Sequence, residues 1–205
     1  MPDFKYERTT EIQGLIYGVD EAGRGPWCGP VVAAAVCWPD FQIPSDLAAE
    51  INDSKKLSPQ KREALFERIM ASNAHVGVGQ ASAQEIDDLN ILQATFLAMK
   101  RALDDVTQQG FAPAFVWIDG NRLPKWETPC QCLIKGDALS LSIAAASIIA
   151  KVTRDRIMTE LARKYPAYGW ERNAGYGTAE HIAALKQHGI TPHHRKSYKP
   201  IKELF

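Results

Sequence analysis

No run of eighteen apolar residues occurs in the 205-residue chain, so nothing in it reads as a membrane-spanning helix. The first ten residues, MPDFKYERTT, mix acids and bases and lack the apolar stretch of a secretory leader. These two absences predict a cytoplasmic protein. Cysteine is sparse as well: Cys28, Cys37, Cys130 and Cys132 are the only four, and Cys130-x-Cys132 has neither a second C-x2-C pair nor a histidine pair at zinc spacing. That excludes a zinc module and leaves reduced structural thiols. His75, His181 and His188 stand singly, without carboxylate or cysteine partners at ligand spacing, and gain no chemistry from sequence. Neither an internal repeat nor a low-complexity segment is present. Net charge is absent too, with 24 Lys and Arg against 24 Asp and Glu.

What the chain does have begins at Tyr17. The segment YGVDEAGRGPWCGP is an apolar strand that closes in two adjacent carboxylates, Asp20 and Glu21, followed by a glycine-rich loop. Two charges at a sheet rim must find a cation or stay in water. Gly23-Arg24-Gly25 lets the backbone approach a ligand closely, and its N–H groups and the Arg24 guanidinium suit phosphate. A nucleotide-binding P-loop is the first alternative, because Gly18-x4-Gly23-Arg24-Gly25 comes close to G-x4-G-K-[ST]. It fails on mechanism: the lysine and the hydroxyl are missing, and carboxylates stand where phosphates would lie.

Two further carboxylates sit in comparable settings. The run AFVWI over 114–118 predicts a strand that ends in Asp119-Gly120-Asn121. Asp137 follows Lys135-Gly136 and precedes ALSLSIAAASIIAK, a segment rich in small residues that predicts a buried helix. Position alone also allows Asp137 to be the N-cap of that helix. Taken together, the four acids share a logic: hard divalent cations want oxygen ligands. Two such ions about 3.5–4 Å apart can clamp the attacking water and the leaving oxygen of an in-line phosphodiester displacement.

The segments YGVDEAGRGP, INDSKKLS, LNILQATFLAMKRAL, WIDGN, IKGDALSLSIAAASIIAKVTRDRIM, YPAYGWERNAGYGT and HHRKSYKP together resemble bacterial ribonuclease HII, in order and spacing, over nearly the whole chain. The resemblance implies an α/β ribonuclease H-like fold, with a mixed central β-sheet flanked by helices and a C-terminal helical appendage. It implies an endonuclease that cuts the RNA strand of RNA–DNA hybrids and incises duplex DNA at embedded ribonucleotides, using two Mg²⁺ or Mn²⁺ ions and leaving 5′-phosphate and 3′-hydroxyl ends. Carried over residue by residue, it makes Asp20, Glu21, Asp119 and Asp137 the catalytic and metal-binding carboxylates. It likewise makes Gly23, Arg24 and Gly25 the loop that senses the ribonucleotide, Tyr176 the residue that stacks beside it, and Ser54 and Lys55 substrate contacts. Trp27-Cys28 and Ala174 depart from the family pattern; the second puts one phosphate contact beside Tyr176 in question. A monomer is expected; the chain end Ile201 to Phe205 reads as a packed terminus, with a short clamp-binding tail as the alternative.

Charge is distributed unevenly. Residues 1–150 carry 13 Lys and Arg against 19 Asp and Glu, whereas residues 151–205 carry 11 against 5. A basic C-terminal part facing an acidic, cation-filled site suits a polyanion, which nominates Arg195, Lys196 and Lys199 as phosphate contacts. Strands are predicted near 15–20, 30–37, 75–81, 114–119 and 131–134, and helices near 59–71, 85–109, 138–164 and 178–188. Ser58 at N-cap and Pro59 at N1 should start the first of these helices. The expected organisation is an N-terminal segment 1–13, a catalytic core 14–164 and the appendage 165–205. Two competing readings remain at this level. One is a metal-independent ribonuclease using His193-His194 and a lysine, which would leave 2′,3′-cyclic phosphates; the other is a hybrid-binding protein without activity.

Overall fold

The computed structural model describes residues 1–51 and 57–203. Its centre is a five-stranded sheet in the order β3-β2-β1-β4-β5, formed by β1 (Leu15–Ala22), β2 (Val31–Cys37), β3 (His75–Ala81), β4 (Pro113–Asp119) and β5 (Cys130–Leu133). β2 pairs antiparallel with both β1 and β3, while β1–β4 and β4–β5 are parallel. Every residue of β2, VVAAAVC, is buried, as a central strand covered on both faces requires.

The helices are α1 (Lys5–Arg8), α2 (Ser45–Glu50), α3 (Pro59–Met70), α4 (Ala83–Leu89), α5 (Ile91–Gln108), α6 (Leu141–Lys164), α7 (Trp170–Asn173), α8 (Ala179–His188) and α9 (Lys199–Lys202). α5 covers one face of the sheet, where Tyr17, Val19, Ala33, Val116 and Ile118 meet Ala98, Met99 and Ala102. α6 covers the other, with Ala34 and Val36 against Ala144, Ile148 and Ile149. The small residues predicted to allow close packing do so at Gly18, where an added Cβ would stand 2.3 Å from the Ile143 backbone nitrogen. No helix among the described residues is long and apolar enough to cross a membrane.

The five predicted strands form, and Ser58 caps α3 by accepting from the Lys61 N–H, with Pro59 following. The helix predicted over 85–109 is instead two. Ser82 and Glu85 form a capping box that starts α4, and Asn90, at φ 73°, breaks the chain and caps α5 through Oδ1. The apolar spacing runs on across this break, so periodicity alone does not reveal it. Residues 165–203 gather α7, α8 and α9 over the C-terminal half of α6, around Trp170, Leu185, Ile201 and Cys28.

Candidate active site

Strand alternation brings Asp20 and Asp119 together. In β1, Tyr17 and Val19 point to the α5 face, so Gly18 and Asp20 point to α6. In β4, Val116 and Ile118 point to α5, so Asp119 shares the face of Asp20. Val19 pairs with Ile118, and both aspartates lie one residue further along parallel strands. Glu21 takes the opposite face and meets the N-terminal part of α5 in a crevice with Leu92, Phe96 and Arg24.

Asp137 sits in a short 3-10 turn, Gly136–Ala138, ahead of α6. The N-cap alternative for Asp137 does not hold, because Ser140 occupies that position and accepts from the Ile143 N–H at 3.1 Å. The Gly136 N–H donates to Asp119 Oδ1 at 2.7 Å, which fastens the turn to β4. On the far side of the turn the N-terminal segment grips the start of α6. Glu7 Oε1 accepts from Ser140 Oγ at 2.6 Å and from the Ser142 N–H. Burial holds the Glu7 carboxyl above the usual carboxylate range. Sequence reasoning missed this grip, since a lone glutamate in a polar N-terminus gives no signal.

Asp20 is 7% exposed and Asp137 is 9% exposed. Burial, and after it the charges of Glu21, Asp119 and Asp137, push the Asp20 carboxyl well above its ordinary range; the Glu21 N–H donating to its Oδ1 at 2.7 Å opposes this only in part. Arg24 Nη1 lies 3.2 Å from Glu21 Oε1. Among the described residues no group of three or more His, Cys, Asp or Glu side chains is set in a geometry that could already hold a metal ion. Asp20 and Glu21 face a cleft, and Asp119 lines the crevice on the other side of Glu21. The donor set is nevertheless the right kind for hard divalent cations: four carboxylates, of which Asp20 is buried and crowded by the charges of the other three.

The cleft, of about 330 Å³, runs from Asp20 and Glu21 past Gly23-Arg24-Gly25 to Ser147 and Tyr176. Gly23 has φ 96°, and an added Cβ would stand 2.0 Å from Arg154 Nε, so only glycine fits this bend. Tyr176, 50% exposed, lies across Gly25, where a Cβ would stand 3.4 Å from its ring. The Trp27 N–H donates to Gly175 O at 2.8 Å, and its indole fills the notch beside Gly177, so the Trp27 departure serves to join the two loops. Ala174 adopts a left-handed conformation, φ 48°, and its carbonyl accepts from Arg154 Nη1. Arg154 was also missed. Its signal was helical spacing, because Ser147, Lys151 and Arg154 share one face of α6.

Three expectations for the basic tail and its histidines change. Arg195 does not present itself to a phosphate: it is fully buried and hydrogen-bonds the carbonyls of Gly23, Arg24 and Gly29. His194 is enclosed as well, and burial, with His181 next, lowers it to about 4. Nor does His181 stand alone. The Thr191 N–H donates to His194 Nδ1 (2.8 Å), His194 Nε2 meets His181 Nε2 (3.0 Å), Trp170 Nε1–H donates to that same His181 nitrogen (3.2 Å), and His181 Nδ1 meets Tyr176 O (2.9 Å). Buried and held in this network, His194 is not presented to a substrate, so the metal-independent reading keeps only the half-buried His193 of its two histidines. Lys196 and Lys199 are exposed. Ile201 is 1% exposed and packed against the C-terminal cluster. Ser54, Lys55, Leu204 and Phe205 lie outside the described residues.

A mixed sheet in this order, with acids at the adjoining ends of its central strands, defines a ribonuclease H-like enzyme. The family model for ribonuclease HII matches residues 17–201. Ribonuclease HII of Paramagnetospirillum magneticum is 54% identical over 203 residues, 99% of this chain and 98% of that protein. Among solved structures, the ribonuclease H2 of Pyrococcus horikoshii superposes with a TM-score of 0.75 at 29% identity, covering 93% of this chain and 96% of that one. A chain from the PCNA:RNase HII complex of Archaeoglobus fulgidus superposes with a TM-score of 0.69 at 25% identity, covering 90% and 95%. The chain belongs to the ribonuclease HII family, whose members are hydrolytic endoribonucleases.

Proposed function

We propose that this protein hydrolyses the RNA strand of RNA–DNA hybrids and also incises duplex DNA at embedded ribonucleotides, leaving 5′-phosphate and 3′-hydroxyl ends. Asp20, Glu21, Asp119 and Asp137 would hold two divalent cations, Mg²⁺ or Mn²⁺. The observation that carries this reading is the state of Asp20, a buried carboxylate crowded by three others. Such crowding persists in a fold only where something offsets it, and oxygen-seeking cations do so. Bound there, the ions would neutralise charge on the phosphodiester and lower the pKa of the attacking water.

The remaining work falls to the chain. Backbone groups of Gly23-Arg24-Gly25 come close enough to read a ribose 2′-OH, which both donates and accepts. The exposed ring of Tyr176 across Gly25 offers a face to the adjoining sugar. A deoxyribose fits there without a 2′-OH to collide, which directs cutting to the RNA–DNA junction. Lys196 and Lys199 supply phosphate contacts beyond the cleft.

The test is a duplex with one ribonucleotide and a long hybrid, each incubated with Mg²⁺, Mn²⁺ or chelator, with the product ends mapped. Expected are chelator-sensitive cleavage of both and 5′-phosphates. Cyclic phosphate ends, or full activity in excess chelator, would refute the metal assignment.

A further inference from the structure

We propose that Arg195 is a positioning residue that aims the backbone N–H groups of Arg24 and Gly25 into the carboxylate cleft, and so sets ribonucleotide recognition; this rests on the reading of that loop given above. A glycine-rich loop cannot fix the direction of its own peptide planes, because glycine accepts either sign of φ. Something outside the loop must do it. The Arg195 guanidinium lies beneath the loop with a full set of partners. Nη1 donates to Arg24 O at 2.9 Å and to Tyr198 Oη at 2.9 Å, Nη2 to Gly23 O at 2.6 Å and to Gly29 O at 2.9 Å, and Nε to Gly29 O at 3.0 Å.

In a trans peptide the C=O and the following N–H point in opposite directions, and the structure contains no cis peptide bond among the described residues. Drawing the Gly23 and Arg24 carbonyls down onto Arg195 therefore turns the N–H groups of Arg24 and Gly25 the other way. Those two residues line the cleft with Tyr176. The site thus presents donors there, the groups that a 2′-OH oxygen or a phosphate accepts from.

Arg154 completes the cradle from the α6 side. Its Nε donates to Pro30 O at 3.0 Å, Nη2 to Cys28 O at 3.1 Å and Nη1 to Ala174 O at 3.0 Å, which ties the outgoing arm of the loop to the segment that carries Tyr176. Only a planar fork with five fixed donors reaches several carbonyls at once; an ammonium on a flexible stem does not.

The test compares Arg195→Ala and Arg195→Lys with the wild-type chain, measuring kcat and KM on a single-ribonucleotide duplex and on a long hybrid, together with Tm. A positioning role predicts that kcat/KM for the single ribonucleotide falls about tenfold or more relative to the long hybrid, because small misplacements near reacting groups carry penalties of that size. Lysine should not restore the ratio, whereas millimolar guanidinium should recover part of it in Arg195→Ala. A parallel loss on both substrates tracking a lower Tm, a lysine variant with the wild-type ratio, or failure of both variants to fold would each overturn the proposal. Tyr176→Ala serves as the separating control. If Tyr176→Ala leaves the ratio unmoved, the recognition reading itself fails and takes this inference with it. If Tyr176→Ala shifts the ratio but Arg195→Lys does not, only the role of Arg195 is refuted.

Discussion

Replacing Asp20 with asparagine should make the metal-free protein more stable while abolishing cleavage. Asp20 is buried beside Glu21, Asp119 and Asp137, and these surroundings raise its pKa. A carboxyl whose folded pKa exceeds its unfolded value stabilises the fold at low pH, and that contribution is lost as pH rises from the unfolded value through the folded one. Near pH 8 the wild-type chain therefore meets a cost at this position, by carrying the charge or by retaining a proton. Asparagine removes the cost and keeps Oδ1 as an acceptor for the Glu21 N–H, a 2.7 Å bond in the wild-type chain. A buried group poorly served by its surroundings costs about 1–3 kcal/mol. Taking about 2 kcal/mol, and about 2–4 °C per kcal/mol for a domain of this size, Asp20→Asn should melt about 4–8 °C higher in chelator at pH 8. The assay is thermal unfolding in chelator and in millimolar Mg²⁺ or Mn²⁺. The wild-type chain should gain Tm with metal, the variant much less, and the gap between them should narrow as pH falls toward 4. A variant that melts at or below the wild-type temperature in chelator would show that the carboxylates are not electrostatically frustrated, and the argument for a cation site from their crowding would go with it.

Tyr176→Ala should lose incision at single ribonucleotides by about tenfold more than cleavage of long hybrids, with an unchanged metal requirement; equal losses would make Tyr176 a packing residue. Lys196→Ala with Lys199→Ala should weaken binding to all duplexes alike and flatten the logarithmic salt dependence by about 0.9 per contact removed, and an unchanged slope would mark both lysines as solvated surface. His194, lowered to about 4 by burial and by His181, favours the neutral form in the fold, so stability is lost as pH falls from 6.5 toward 4. Urea unfolding should show that loss reaching about 3 kcal/mol and a shallower decline for His194→Asn; identical profiles would place the acid sensitivity elsewhere. Gly18→Val should destabilise by about 1–3 kcal/mol through overpacking, because even a Cβ at Gly18 would stand 2.3 Å from the Ile143 nitrogen; a variant as stable as the wild type in urea would show that α6 can lift off β1.

Local patterns made much of the fold legible. Alternation and β-branched content marked the strands, and because Asp119 ends β4 and Asp20 lies two residues before the end of β1, their convergence follows from pairing β1 with β4. The break at Asn90 was hidden because helix periodicity continues through it. Long-range polar partnerships were hidden for a different reason: nothing local ties Glu7 to Ser140, or Arg195 to the carbonyl of Gly23. Arg195 shows this most clearly. A basic tail reads as solvent-facing phosphate binder by composition, yet this one cation is folded inward because a loop of glycines has carbonyls to satisfy and no side chains of its own to do it.

The histidine pair beneath Tyr176 joins three separate stretches of chain through one lone pair. With Thr191 N–H donating to His194 Nδ1, the mobile proton of His194 belongs on Nε2, and His181 must then keep its own Nε2 bare to receive it together with the Trp170 indole proton. Trp170 lies in α7, His181 in α8 and His194 in the segment leading to Arg195. A proton added at His194 Nδ1 faces the Thr191 N–H, and one added at His181 Nε2 faces the Trp170 and His194 protons, so either sets donor against donor within the network. In acid these stretches should therefore let go together, as one cooperative unit, and hydrogen exchange as pH falls toward 4 should register a single concerted opening of residues 170–195 while the sheet stays closed.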